Sequence, residues 1–121
     1  MTDFAGLAAR YIDCWNERDP DARKAAVEQL WAEDARYTDP LADARGRASI
    51  EATVAAAQQQ FPGFEFRLAG PVDGHHDQCR FSWELGPAGA HAPIAGFDVA
   101  TVGSDGSLEL VLGFLDRVPA S

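Results

Sequence analysis

The hydrophobic period of this chain changes once, at Pro62-Gly63, and that change limits the folds open to it. Before it, apolar residues recur at helical spacing: Phe4, Leu7, Ala8, Tyr11 and Trp15 form one stripe of a helix over 4–18. Asp19-Pro20 restarts the helical pattern as a side-chain cap followed by proline at the first helical position. The second helix runs to about Trp31 and buries Val27, Leu30 and Trp31. A short extended stretch, 35–38, ends at Asp39-Pro40, because proline disfavours a helical residue before it. After an irregular loop, Ile50, Val54, Ala57 and Phe61 mark a third helix.

Beyond Gly63 the period is two. Phe64, Phe66 and Leu68 alternate with Glu65 and Arg67, and Cys79, Phe81, Trp83 and Leu85 alternate with Arg80, Ser82 and Glu84. Residues 94–102 and 108–115 are apolar on both faces, which predicts central strands covered on both sides. Asp73-Gly74, Gly86-Pro87 and Asp105-Gly106 supply the turns. Short connections make sequential strands antiparallel. The expected class is therefore α+β: a curved four-stranded antiparallel meander, a short edge strand before Asp39, and three helices packed on the concave face.

A length of 121 residues predicts a single domain spanning 1–121. The formal charge of −9, with Lys24 the only lysine and the arginines scattered, excludes a phosphate-binding surface and hence a nucleic-acid partner. No apolar run approaches a membrane span, and the first ten residues lack an export signal, so the expected location is the cytoplasm. There Cys14 and Cys79 are expected as two buried thiols.

Three polar residues stand in segments that otherwise read as core: Tyr11, Asp39 and Asp98. Asp98 shares a strand face with Ile94, Gly96, Ala100 and Val102, and its nearest neighbours on that face are small. Read plainly, such an acid pairs with an arginine or caps backbone amides. Read as a site, its apolar setting raises its pKa so that it can hold a proton and donate it. Tyr11 alone reads as core with a hydroxyl needing a partner, and Asp39 alone reads as turn chemistry. His75-His76-Asp77 near Cys79 belong to a hairpin tip without a second ligand pair, so no metal and no cofactor is expected. Arg45 and Arg47 read as a solvated loop or as a carboxylate grip at a pocket mouth.

Arg10-Tyr11-Ile12 through Trp15-Asn16 and Asp19, Glu33-Asp34-Ala35 through Thr38-Asp39-Pro40, and Phe97-Asp98 ahead of Asp105-Gly106 resemble segments of bacterial ketosteroid isomerases. Those enzymes belong to the nuclear-transport-factor-2-like superfamily, which also holds the SnoaL-like polyketide cyclases. The resemblance implies a cystatin-like cone closed by the helices. It further implies Asp39 as general base and Tyr11 and Asp98 as oxyanion donors, a division of labour known for ketosteroid isomerase. The Phe61-Pro62-Gly63 corner and the Phe114-Leu115-Asp116 ending are more similar to SnoaL-like proteins. Trp15, Phe61, Trp83 and Phe114 are expected to line the pocket for a small apolar carbonyl compound, and a homodimer through the outer sheet face is expected by the same resemblance. Within that group an isomerase or a cyclase is favoured over an epoxide hydrolase. The other class is a non-catalytic ligand-binding or assembly domain.

Overall fold

A computed structural model describes residues 2–119. Three helices, α1 (Phe4–Asn16), α2 (Pro20–Leu30) and α3 (Arg47–Gln60), combine with seven strands: β1 (Trp31–Asp39), β2 (Ala42–Arg45), β3 (Phe64–Leu68), β4 (Asp73–His75), β5 (Gln78–Pro87), β6 (Ile94–Val102) and β7 (Leu108–Arg117). The caps are those the composition favours. Asp3 accepts from the Gly6 amide at 3.0 Å, and Asp19 accepts from the Ala22 amide at 2.9 Å with Pro20 behind it.

The strands form one open sheet ordered β2-β1-β7-β6-β5-β3, with β4 paired to β5. The meander β5-β6-β7 is antiparallel as expected, and β3 also joins β5. The region around β1 departs from expectation. Trp31 does not end the second helix but begins β1, and the extended stretch is nine residues long. Nor does it lie on an edge: β1 pairs parallel with β7 through Tyr37 and Val111, and antiparallel with β2 on its other side. The segment expected as an irregular loop becomes β2 because Asp39 turns the chain, its Oδ1 accepting from the Leu41 and Ala42 amides at 2.8 Å each.

The core lies between the helices and the inner sheet face. Trp31, Ile50, Val54 and Val111 are wholly inaccessible there. On β6, Ile94, Gly96, Asp98, Ala100 and Val102 are buried, whereas Ala95, Phe97, Val99 and Thr101 are only half-buried. The expected covering of both faces is thus absent, since all three helices pack on one side.

Buried polar contacts hold the helical layer. Gln58 donates from Nε2 to the Trp15 and Glu17 carbonyls, which lack partners at the end of α1. Arg23 donates to Gln58 Oε1 at 2.9 Å and lies 3.5 Å from Glu51. This anchoring fixes the helix that carries Tyr11 and Trp15. Cys14 and Cys79 are both free and buried, and burial pushes each thiol up to about 11.

Ile50→Ala should test the core on the α3 side. Urea denaturation should show a loss of about 2–5 kcal/mol, the cost of an unfilled cavity at a fully buried isoleucine.

Candidate active site

Register places Asp98 at the centre of the sheet, opposite Phe81 on β5 and Gly113 on β7. It is 2 % exposed and, among the described residues, has no arginine partner. Its two oxygens are instead held by neutral donors: the Tyr11 hydroxyl reaches Oδ2 at 2.8 Å, and the Trp83 indole N–H reaches Oδ1 at 3.2 Å. Burial pushes the Asp98 carboxyl up to about 6, with nearby Asp39 adding to the rise and the two donors opposing it. Tyr11 is 3 % exposed, wedged against Phe81 and Trp31, and its phenol is held well above its usual range by burial and by Asp98. It stays protonated at any working pH.

Two glycines make the arrangement possible. Gly96 pairs with Trp83 across the sheet, and a Cβ there would come within 2.6 Å of the indole ring. The small residue beside Asp98 therefore makes room for the side chain that donates to it. At Gly113 a Cβ would stand 2.9 Å from Asp98 Oδ1, 3.1 Å from Asp39 Cβ and 3.5 Å from the Tyr37 hydroxyl. A side chain at this position would thus crowd both acids at once.

Asp39, half-buried at the end of β1, is the second acid. Its Oδ1 takes the two turn amides, and its Oδ2 accepts from the Tyr37 hydroxyl at 2.5 Å. Tyr37 is 4 % exposed, and burial raises its phenol pKa, with Asp98 and Asp39 adding to the rise. Tyr37 and Gly113 are the site residues that sequence reasoning missed. Tyr37 had a signal, since it lies two residues before Asp39 and shares its strand face. Gly113 had none, because its neighbours come from other strands.

Tyr11, Tyr37, Asp39 and Asp98 all line one cavity of about 250 Å³ between the sheet and the helices. Trp15, Phe61 and Trp83, expected in the lining, are there together with Phe66, Leu85, Ile94 and Leu115. Phe114 is not. It lies on the outer sheet face, 48 % exposed and stacked on Phe97 at 4.9 Å, because alternation on β7 sends Gly113 and Leu115 inward instead. Among the described residues no lysine, arginine or histidine lines the cavity. Arg45 and Arg47 do not reach it, and Arg47 donates to the Trp31 carbonyl at 2.9 Å. His75 and His76 lie on the exposed β4–β5 hairpin with their Nδ1 atoms 3.0 Å apart. No three metal-binding side chains gather among the described residues.

This geometry has relatives. The SnoaL-like domain model matches residues 8–110. The chain belongs to the SnoaL-like family. It is similar to a candidate isomerase of that family from Agrobacterium tumefaciens, at 42% identity over 96% of this chain and 99% of that one, with a TM-score of 0.91. More distant structures show the same fold. A candidate polyketide cyclase from Sinorhizobium meliloti is 18% identical over 89% of this chain and 93% of that one, with a TM-score of 0.71. A cystatin-like-fold protein of unknown function from Nostoc punctiforme is 18% identical over 93% of this chain and 87% of that one, with a TM-score of 0.65. Among curated proteins none matches the sequence. Among the described residues of this SnoaL-like chain, no helix is long and apolar enough to cross a membrane.

The carboxyl of Asp98, followed by carbon-13 NMR, should titrate near pH 6. In Trp83→Phe, which removes one donor to the ionised form, the midpoint should move upward by roughly one unit. An unchanged midpoint would show that the indole does not hold the carboxylate.

Proposed function

We propose that this protein is an acid–base enzyme that moves a proton alpha to a carbonyl, as an isomerase or a cyclase. The observation that supports it is the placing of two carboxyl groups and two phenols around one apolar cavity with no lysine, arginine or histidine among its described lining residues. A carboxylate partnered by arginine is a structural element. A carboxyl raised to about 6 by burial can keep or release its proton near neutral pH, as acid–base chemistry requires.

In this reading Asp39, at the half-buried end of β1, takes the proton from the carbon next to the carbonyl and returns it elsewhere. Asp98, protonated, donates to the carbonyl oxygen and stabilises the negative charge that develops there. Trp83 holds its plane, and the Tyr11 hydroxyl, which donates to Asp98, turns its one proton to the ligand oxygen when that oxygen enters and becomes the second donor. Tyr37 and the two turn amides orient Asp39. Trp15, Phe61, Phe66 and Trp83 supply flat apolar walls and keep water out, which strengthens each of these interactions.

A cyclic β,γ-unsaturated ketone in deuterium oxide tests the reading, with NMR following exchange at the alpha carbon. Asp39→Asn should slow exchange by about 10²–10⁴-fold. Because the protonated form of Asp98 is the active one, kcat/KM should fall as pH rises through about 6, and Asp98→Asn should lose that limb of the profile. Exchange at an unaltered rate in Asp39→Asn would sink the assignment of the base.

One observation favours a second reading, a non-catalytic ligand-binding domain. Both oxygens of each acid are engaged by protein donors. Ketone binding without exchange, in the same experiment, is what that reading expects.

We also propose a homodimer through the outer sheet face. The stacked Phe97–Phe114 pair there is exposed at Phe114, and Arg80 and Glu84 on the neighbouring β5 put charges of both signs on the same face, with Glu65 and Arg67 on β3 beyond them. Sedimentation should show a dimer at micromolar concentration, and Phe114→Glu should return it to a monomer.

A further inference from the structure

Large hydrophobic side chains left in water cluster where something apolar is meant to cover them. Among the described residues three are exposed: Leu41 at 76 %, Val118 at 59 % and Phe114 at 48 %. Phe114 has its stacking partner on the outer face, but Leu41 and Val118 both line the mouth of the acid-bearing cavity. They reach it from separate parts of the chain. Leu41 sits in the β1–β2 turn directly after Asp39-Pro40, and Val118 follows the last residue of β7. The residues that follow β7, Val118 and Pro119, are thus both wall residues, while 120 and 121 lie outside the described residues.

The cavity behind this rim is small. Its volume of about 250 Å³ falls below the roughly 300–1,000 Å³ of pockets that enclose a drug-sized ligand. A ligand whose head reaches Asp98 and which also covers the exposed side chains of Leu41 and Val118 runs from the buried acid to the open mouth, so it is narrow and extended, not bulky. The charge of the walls restricts the head. With two acids and no lysine, arginine or histidine among the described lining residues, a carboxylate or phosphate head finds no positive partner.

We propose that the ligand is an uncharged, elongated carbonyl amphiphile whose head lies at Asp98 and whose apolar tail leaves the cavity between Leu41 and Val118. The placing of the head rests on the acid–base reading of the site. The path of the tail rests only on the rim. Leu41 and Val118 are specificity-determining residues on this account: they select for chain length without touching the reacting atoms.

A series of straight-chain methyl ketones with eight, ten and twelve carbons tests the proposal, with binding followed at neutral pH by intrinsic tryptophan fluorescence. Affinity should keep rising to the twelve-carbon ketone, approaching about fourfold per added methylene where the tail is well covered. Leu41→Ser and Val118→Ser should each cut the gain between ten and twelve carbons by at least about threefold, while leaving the eight-carbon ketone within about twofold of wild type. The twelve-carbon fatty acid should bind at least about tenfold more weakly than the ketone of the same length. A plateau at eight carbons in the wild type, or serine variants that weaken all three ketones equally, would overturn the tail path. Serine variants that dissociate a dimer while leaving the ketone series intact would assign the rim to a second copy, and so reject it too. Equal or tighter binding of the fatty acid would overturn the uncharged head. Because binding is read without turnover, chain-length dependence in the absence of deuterium exchange would reject the acid–base reading alone.

Discussion

Asp98 is buried at the centre of the sheet without a positive partner, and the surrounding structure is arranged to make that tolerable. An unpaired carboxylate in an apolar interior costs several kcal/mol unless hydrogen bonds or a proton relieve it. Here both remedies operate. Tyr11 and Trp83 donate to its two oxygens, and burial raises the carboxyl to about 6 so that it can take up a proton. The direction of the shift has a consequence for stability. A carboxyl raised above its unfolded value of 3.8 favours folding most when protonated, and that contribution is lost as pH rises through about 6. The fold therefore gives up stability at neutral pH to keep an acid there, as expected where a group serves chemistry and not packing.

Holding that acid draws in elements distant in sequence. The Tyr11 donor arrives on α1, and the Gln58 and Arg23 contacts at the end of α1 keep that helix in place. The Trp83 donor lies on β5 and needs Gly96 on β6 to fit. The second acid comes from β1, which reaches the site only because β1 runs parallel beside β7. Gly113 on β7 leaves room beside both Asp39 and Asp98, since a Cβ there would crowd each of them. Asp39 has two tasks in this arrangement. One oxygen builds the turn into β2, and the other is held by Tyr37, so the residue that shapes the chain also presents a carboxylate to the cavity. Membership of the SnoaL-like family fits this economy, since the same cone of helices and sheet recurs around candidate isomerases and cyclases.

Much of the architecture was legible from hydrophobic period and caps. The switch at Pro62-Gly63, the Asp19-Pro20 restart and the alternation on β5 and β6 are local signals, and each element they imply is present. The errors have one cause. Trp31 continues the apolar stripe of α2, and nothing local shows that the chain has already entered β1. The segment 42–45 is polar and short, so its pairing becomes visible only once β1 is there to receive it. Both depend on contacts between segments far apart in the chain, which periodicity does not record.

The same division holds for the site. Alternation alone points Asp98 to an apolar face between small neighbours, because side-chain direction along a strand follows from the pleat. Helical spacing likewise puts Tyr11 and Trp15 on one stripe. What occupies the space beside Asp98, the hold of Tyr37 on Asp39, the room that Gly113 leaves beside both acids and the outward direction of Phe114 emerge only in the folded chain. These features depend on strand register and on the parallel pairing of β1 with β7. Register is set by the summed packing of the whole sheet and not by any one segment, so no local pattern can announce it.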